Sequence, residues 1–312
     1  TNQRQYDKAV DYWEDILQRN SNFDAAYIGI GNALARLHKY EEAVEQYKLA
    51  YDTSNYSIAY SELRQEWISN YLWTLPIIIF VICFALAKFL GFAKKVNKKV
   101  AVSTEKRTYG QELLFAFHLI LHPFDGFWDL KHEKRGSVRA GTTILAATIA
   151  VFYYDSIGSG YVTNPQAEYG TIFGAITGIV VPLALWIVAN WCLTTLFDGE
   201  GSMKDVYIAS TYSLLPLIIT MIPATIASNF ILANEVKTVS LITTIGLIWM
   251  GLLMFCGTMV THDYTIGKNV ITVLATLVGM ICIMFIAILF STLLGKLVSF
   301  VTNIVTELRY RM

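Results

Sequence analysis

The chain has 312 residues, with 24 basic and 24 acidic side chains and no net formal charge. It is 54 % hydrophobic and only 15 % charged, with a mean hydropathy of +0.46, where an ordinary soluble domain is roughly 45–50 % apolar and about 25 % charged. These proportions exclude a water-soluble globule and a disordered chain, and the charge balance lacks the basic footprint of a nucleic-acid binder.

Residues 1–70 differ from everything that follows, with mixed charge and helical periodicity. Ala9 recurs as Ala43, and Trp13 as Tyr47, each at a spacing of 34. Between them runs Tyr27-Ile28-Gly29-Ile30-Gly31-Asn32-Ala33-Leu34, and the segment Tyr40 to Ala50 supplies a second helix. Small residues where backbones touch, with rings to fill the gap, suit two close-packed helices. The segment resembles a tetratricopeptide repeat, with Ile30-Gly31 in the Leu-Gly place and Asn55 where that family has proline. Residues 5–21 then read as a second repeat helix without its partner. Since such solenoids need three or more repeats, more protein is expected upstream of Thr1, whose lack of a signal-peptide pattern suggests a mature or trimmed product. Asn32 and Arg36 would line the concave face and are the candidate partner-binding residues; a plain solvated helix face is the alternative. With no proline before Pro76, the helix from about Ser57 is expected to run unbroken into the first membrane span.

About 20 apolar residues in a helix cross a hydrocarbon core of about 30 Å. Six runs qualify: Trp73 to Ala93, Arg139 to about Ile157, Phe173 to Phe197, Val206 to Leu232, Val239 to Val260, and Val270 to Gly295, the last continuing to near Val305. Pro182, Pro216 and Pro223 predict kinks. Asn190 and Asn229, with Thr194, Thr195, Ser210, Thr211, Ser213, Thr220, Thr243 and Thr258, are expected to make hydrogen bonds between helices. The fold expected is all-α: a polytopic bundle of one entry span and five further spans, with a small N-terminal helical module. Cys83, Cys192, Cys256 and Cys282 all lie in apolar runs, so no disulfide framework or CxxC metal site is present.

Lysine and arginine set the orientation. Counted over the short loops and the tail, without the N-terminal module, residues 94–139 carry ten, including Lys106, and with Lys204 and Lys268 one face has twelve against three on the other, Lys237, Arg309 and Arg311. The positive-inside rule then places residues 94–138 in the cytoplasm and residues 1–70 outside. The domain boundaries expected are an extracellular repeat over 1–70, an entry span over 71–93, a basic linker and interfacial helix over 94–138, a bundle over 139–305, and a tail over 306–312.

Within the linker, the apolar run Leu113 to Leu121 is too short to span. Phe115, Phe117, Phe124, Phe127 and Trp128 beside basic flanks suggest a helix lying at the membrane interface. His118 and His122 are four apart and share a helix face, with Asp125 close behind; they are weak candidates for a metal, since Pro123 should end the helix and only Asp129 or His132 could add a ligand. Interfacial histidines bonded to headgroups or backbone are the plainer reading, and the sequence calls for no metal and no cofactor. No GxSxG, HExxH or GxxxxGK[ST] motif occurs, and the chain reads as a non-enzyme.

The stretches His122-Pro123-Phe124-Asp125-Gly126-Phe127, Lys134-Arg135-Gly136-Ser137 and Asp198-Gly199-Glu200-Gly201-Ser202, ahead of and within five spans, resemble the bacterial branch of the Yip family, named for the interaction of eukaryotic members with Ypt/Rab GTPases. The resemblance covers about Thr108 to Val305. It implies a bacterial cell-membrane protein with a scaffolding or trafficking-type role and no catalytic centre. The function expected is a membrane-anchored adaptor that gathers a partner through outward repeats and packs in the membrane against another protein or itself, with a carbohydrate ABC permease as the partner class. The alternative is a channel or transporter working through its own bundle.

Overall fold

A computed structural model describes residues 2–102, 107–194 and 196–311; Thr1, Lys106 and Thr195 lie outside the described residues. The chain is all-helical, with six helical segments long and apolar enough to cross a membrane. It divides into two compact units, each built from several stretches of chain.

The first unit draws on residues 2–102, 146–175 and 215–250. It opens with α1 (Asn2–Arg19), α2 (Asp24–Arg36), α3 (Tyr40–Leu49) and α4 (Thr53–Tyr71). Ile30, Leu34, Ala43, Val44, Tyr47, Tyr56 and Ala59 form their core, with Val10, Trp13 and Leu17 of α1 against it. The two rings spaced 34 apart share a purpose. A Cβ on Gly29 would strike the Trp13 indole, and one on Gly31 would strike the Tyr47 ring. Glycine therefore lets α1 and α3 close onto α2 from different sides.

The turns after α2 and α3 are built alike. His38 (φ 60°) and Tyr51 (φ 54°) take the left-handed conformation. Lys39 N–H then donates to the Leu34 carbonyl at 2.9 Å, and Asp52 N–H to the Tyr47 carbonyl at 3.0 Å, the six-to-one bond of a Schellman cap. Asp52 caps α4, its carboxylate accepting from Ser54 N–H and Asn55 N–H at 3.1 and 3.0 Å. A proline at position 55 would have no N–H to give, which accounts for the departure at Asn55.

The expected unbroken run into the membrane does not occur. α4 ends at Tyr71 and the entry helix α5 (Thr74–Val102) begins three residues later. Pro76 has no N–H for the Leu72 carbonyl four residues back, and its ring opposes that carbonyl. α5 outlasts the expected span, continuing as helix through Lys94, Lys95, Lys98 and Lys99. No residue between Thr74 and Phe92 is buried.

The remaining spans are α8 (Val138–Gly158), α9 (Ile172–Leu193), α10 (Met203–Tyr212) continued as α11 (Leu215–Ser228), α12 (Val236–His262) and α13 (Ile266–Arg311). The three prolines expected to kink their spans have two outcomes. α9 and α11 carry Pro182 and Pro223 without interruption. At Pro216 the fourth span breaks, because the Tyr212 carbonyl has no N–H to accept from; Ser213 and Leu214 fill the gap.

The hydroxyls expected to bridge helices mostly do not. Thr211, Ser213, Thr220 and Thr225 donate to carbonyls four residues back, and Thr194, Thr243 and Thr258 likewise bond within their own helices. A carbonyl one turn away is always within reach of a helical Ser or Thr, so this local bond competes well with a neighbouring helix. Bonds between spans include Thr225 to Asp155 at 2.6 Å in the first unit and, in the second, Asn190 to Thr276 at 3.3 Å and Asn269 to the Phe255 carbonyl at 2.9 Å; Asn229, also expected to bridge, donates to the Gly158 carbonyl at 2.8 Å.

In the first unit, α4 is docked on two connecting loops of the membrane segments. The Tyr161 hydroxyl donates to the Tyr47 carbonyl at 3.2 Å, and the Tyr56 and Tyr161 rings lie 4.5 Å apart. Burial pushes both phenols up to about 12. Ala233 N–H donates to Ser57 Oγ at 2.9 Å, while Arg64 reaches the Phe230 carbonyl and the Glu235 carboxylate.

Candidate functional site: three motifs and a cleft

The second unit holds residues 107–145, 176–214 and 251–311. It begins with α6 (Tyr109–Leu121) and α7 (Pro123–Lys131), separated at His122 (φ −133°, ψ 70°). Pro123 cannot continue α6 but suits the first position of α7, where no N–H is required.

Glu112 of α6 is the hub of this region. Ser137 Oγ donates to its carboxylate at 2.5 Å, and Arg139 donates from Nε and Nη2, both at 2.9 Å. The Tyr212 hydroxyl donates to the Glu112 backbone carbonyl at 2.9 Å. Burial alone would raise the carboxyl; the hydrogen bonds from Arg139 and Ser137 outweigh it and hold Glu112 below the usual carboxylate range.

Each residue of Lys134-Arg135-Gly136-Ser137 has a structural reason. Lys134 (φ 50°) turns the chain. Arg135 is buried, pairs with Asp129 at 2.5 Å and lies 5.0 Å over the Phe115 ring. Gly136 leaves room for Leu130 and the Tyr212 ring, both of which a Cβ would meet. Ser137 joins Glu112 and also accepts from Ala140 N–H at 3.2 Å in the first turn of α8.

The loop 198–202 is fitted to the turn that follows α12. A Cβ on Gly199 would meet Tyr264 and His262, and one on Gly201 would meet Thr261 and His262. Gly201 N–H donates to His262 Nδ1 at 3.2 Å, so Nδ1 is an acceptor and the proton of the neutral ring sits on Nε2, 2.8 Å from Asn190 Oδ1. Asn190 Nδ2 donates to Thr276, whose hydroxyl donates to the Thr272 carbonyl at 2.8 Å. Asp198 (φ 46°) starts the loop, Glu200 pairs with Lys131 of α7 at 3.0 Å, and Ser202 caps α10 with Asp205.

Between α7, the loop and the end of α12 lies a cleft of about 450 Å³, lined among others by Phe124, Asp125, Trp128, Lys131, Glu200 and Tyr264. Residues 117–289, more than half of the chain, match the Yip1 domain. The chain belongs to the Yip1 domain family. No curated protein and no solved structure matches it. The Yip1 domain stretch begins inside α6, ends inside α13 and contains all three motifs, which meet in one unit around Glu112, His262 and the cleft; α1–α5 precede it.

Burial within the second unit sorts the expected interfacial aromatics. Phe124 and Trp128 are 55 % and 50 % exposed and border the cleft. Phe115 and Phe127 are 1 % exposed and face protein, which corrects their reading as membrane-facing residues. Phe115 underlies Arg135, and the Phe127 ring packs on Gly257 of α12, 3.0 Å from where a Cβ would stand. Phe117 is half-buried. His118 and His122 stack with ring centroids 4.7 Å apart, and burial, then the neighbouring His122, lowers the His118 imidazole. Asp125 faces the cleft instead, and no group of three His, Cys, Asp or Glu residues able to hold a metal occurs among the described residues. On α2, Arg36 is exposed, while Asn32 is already occupied: its Oδ1 accepts from the Tyr47 hydroxyl at 2.9 Å and ties α2 to α3.

Sequence reasoning passed over Glu112, Glu200, Asp263 and Tyr264 as site residues. A visible signal existed for Glu112: a carboxylate one turn into an apolar helix demands partners. Nothing local to Glu200 or Tyr264 announces that they meet.

Proposed function

We propose that this Yip1-domain protein is a membrane-anchored adaptor whose N-terminal helices are held at a set position on the membrane domain for a partner to bind. The observation that carries the reading is the seat of α4. Arg64, Tyr60, Ser57 and Tyr56 engage residues 229–235 and Tyr161, so the module is fixed to connecting loops as well as tethered through α5. Its opposite helices keep polar and aromatic surface, including Arg36 and Tyr12, open for contact.

The same seat supports one part of the orientation reading. Residues 1–70, the loop 159–171 and the loop 229–235 all fall on the face counted as outward by lysine and arginine, and they touch one another. The outward module, the non-enzymatic role and the second membrane protein as partner belong to this proposal. A carbohydrate ABC permease, the class expected from the resemblance, is the first bait.

Three measurements test it. A cysteine replacing Asp11 should react with an impermeant maleimide in intact cells; labelling only after lysis overturns the outward module. Mild-detergent purification of the full chain should bring down a membrane protein, and Arg36→Glu should weaken that capture. Solute flux through the chain reconstituted alone would replace the adaptor by a transporter.

A further inference from the structure

We infer that the cleft between α7, the loop 198–202 and the turn after α12 is a binding site for a phospholipid carrying an ammonium headgroup, ethanolamine or choline. The inference stands independently of the adaptor reading. It rests first on depth. Met259 and Val260 belong to the last turn of the span that ends at His262, Glu200 lies in the connection between Leu193 and Met203, and α7 leads into the span starting at Val138. Three span ends therefore surround the cleft, which puts it where headgroups lie.

Chemistry is the second support. Three carboxylates line the cleft, and one of them, Glu200, is engaged by Lys131 at 3.0 Å. Asp125 and Asp263 have no ion-pair partner among the described residues and are exposed. With them stand the exposed rings of Phe124 and Trp128, while Tyr264 is buried and its ring already carries the Lys268 ammonium at 5.0 Å. Carboxylates beside aromatic faces are the combination that recognises an ammonium group. His132 stacks on Trp128 at 4.7 Å and is 3.2 Å from the Trp128 carbonyl, which steadies the indole. Lys131 and His132 line the same cleft and offer donors to the phosphate of the same headgroup. An anionic headgroup would bring its phosphate but no cation for Asp125 and Asp263. At about 450 Å³ the cleft lies within the range of small-ligand sites.

The test uses the full chain in detergent, exposed to equal amounts of phosphatidylethanolamine and phosphatidylglycerol and read by native mass spectrometry. The wild type should retain phosphatidylethanolamine over phosphatidylglycerol. Asp125→Asn with Asp263→Asn should cut that preference by roughly fivefold, the loss of about one exposed ion pair. Trp128→Leu should lower phosphatidylethanolamine retention and leave phosphatidylglycerol unchanged. All three side chains are exposed, and matching thermal midpoints for wild type and variants confirm that the fold is intact. Equal retention of both lipids by the wild type, or a preference untouched by the carboxylate and Trp128 variants, overturns the inference. So does a lysine-rich peptide that binds through Asp125 and Asp263 without displacing phosphatidylethanolamine, which would make the cleft a protein-docking site.

Discussion

Arg64 holds Glu235 with two guanidinium nitrogens, at 2.7 and 3.0 Å, across 171 positions of sequence. The pair joins the last helix of the N-terminal module to the loop ahead of α12. Both side chains are partly exposed, so its contribution is that of a surface pair with good geometry, roughly 0.2–1 kcal/mol. Arg64→Ala and Glu235→Ala should each lower the unfolding midpoint slightly. Thermal unfolding of the double variant should show a coupling of that same size; full additivity would mean the two do not act together.

Gly201 faces a different constraint. Its φ is unremarkable, but a methyl group there would strike His262 and Thr261. Gly201→Ala should cost about 1–3 kcal/mol, as overpacking does in a filled interior. Gly267→Ala, where no atom lies within 4 Å of the added carbon, should leave stability unchanged or slightly raised. Equal effects of the two would contradict the fit of loop 198–202 against the His262 ring.

Glu112 gives an acid limb to stability. Its folded-state value lies below the ordinary 4.5, so the unfolded chain binds the proton more readily. The stabilisation is complete above about 4.5 and fades as pH falls from there through the folded value. Glu112→Gln should flatten that part of the stability–pH curve. Denaturation of wild type and variant across this window is the measurement, and parallel curves would remove Glu112 from the acid response.

The aromatics of α7 should separate cleanly. Phe127→Ala empties a buried site against Gly257 and should cost about 3–5 kcal/mol. Phe124→Ala removes an exposed ring from the cleft and should change stability by less than about 1 kcal/mol, the usual range for surface substitutions. Unfolding midpoints of the two variants decide it.

The apolar runs gave away the six spans because a hydrocarbon core demands about 20 such residues whatever the neighbours are. The 34-residue spacing of Trp13 and Tyr47 pointed to the helix pairing around α2 for a similar reason: each ring needs a gap, and Gly29 and Gly31 provide one. The motifs His122 to Phe127, Lys134 to Ser137 and Asp198 to Ser202 were also visible as sequence, though their meeting in one unit was not. Local pattern carries no information on which distant loop a side chain will touch, and Glu200 with Lys131 or Arg64 with Glu235 are such cases. The reading of Phe115 and Phe127 as interfacial rests on aromatics lying beside basic flanks, a pattern that does not say which face of a short helix each ring takes. On α7, Phe124 and Trp128, four apart, share one face while Phe127 and Leu130, three apart, share another. Hydroxyl-rich spans misled for a third reason: a Thr bonded to its own helix and one bonded to its neighbour look identical in sequence.

None of the entry-helix residues between Thr74 and Phe92 is buried, while α4 just before it is clamped to loops far along the chain. Anchoring and positioning are thereby divided between different stretches of polypeptide. That membrane crossing behaves as a cable, and any apolar sequence of comparable length could stand in for it and still deliver the helices to the same berth.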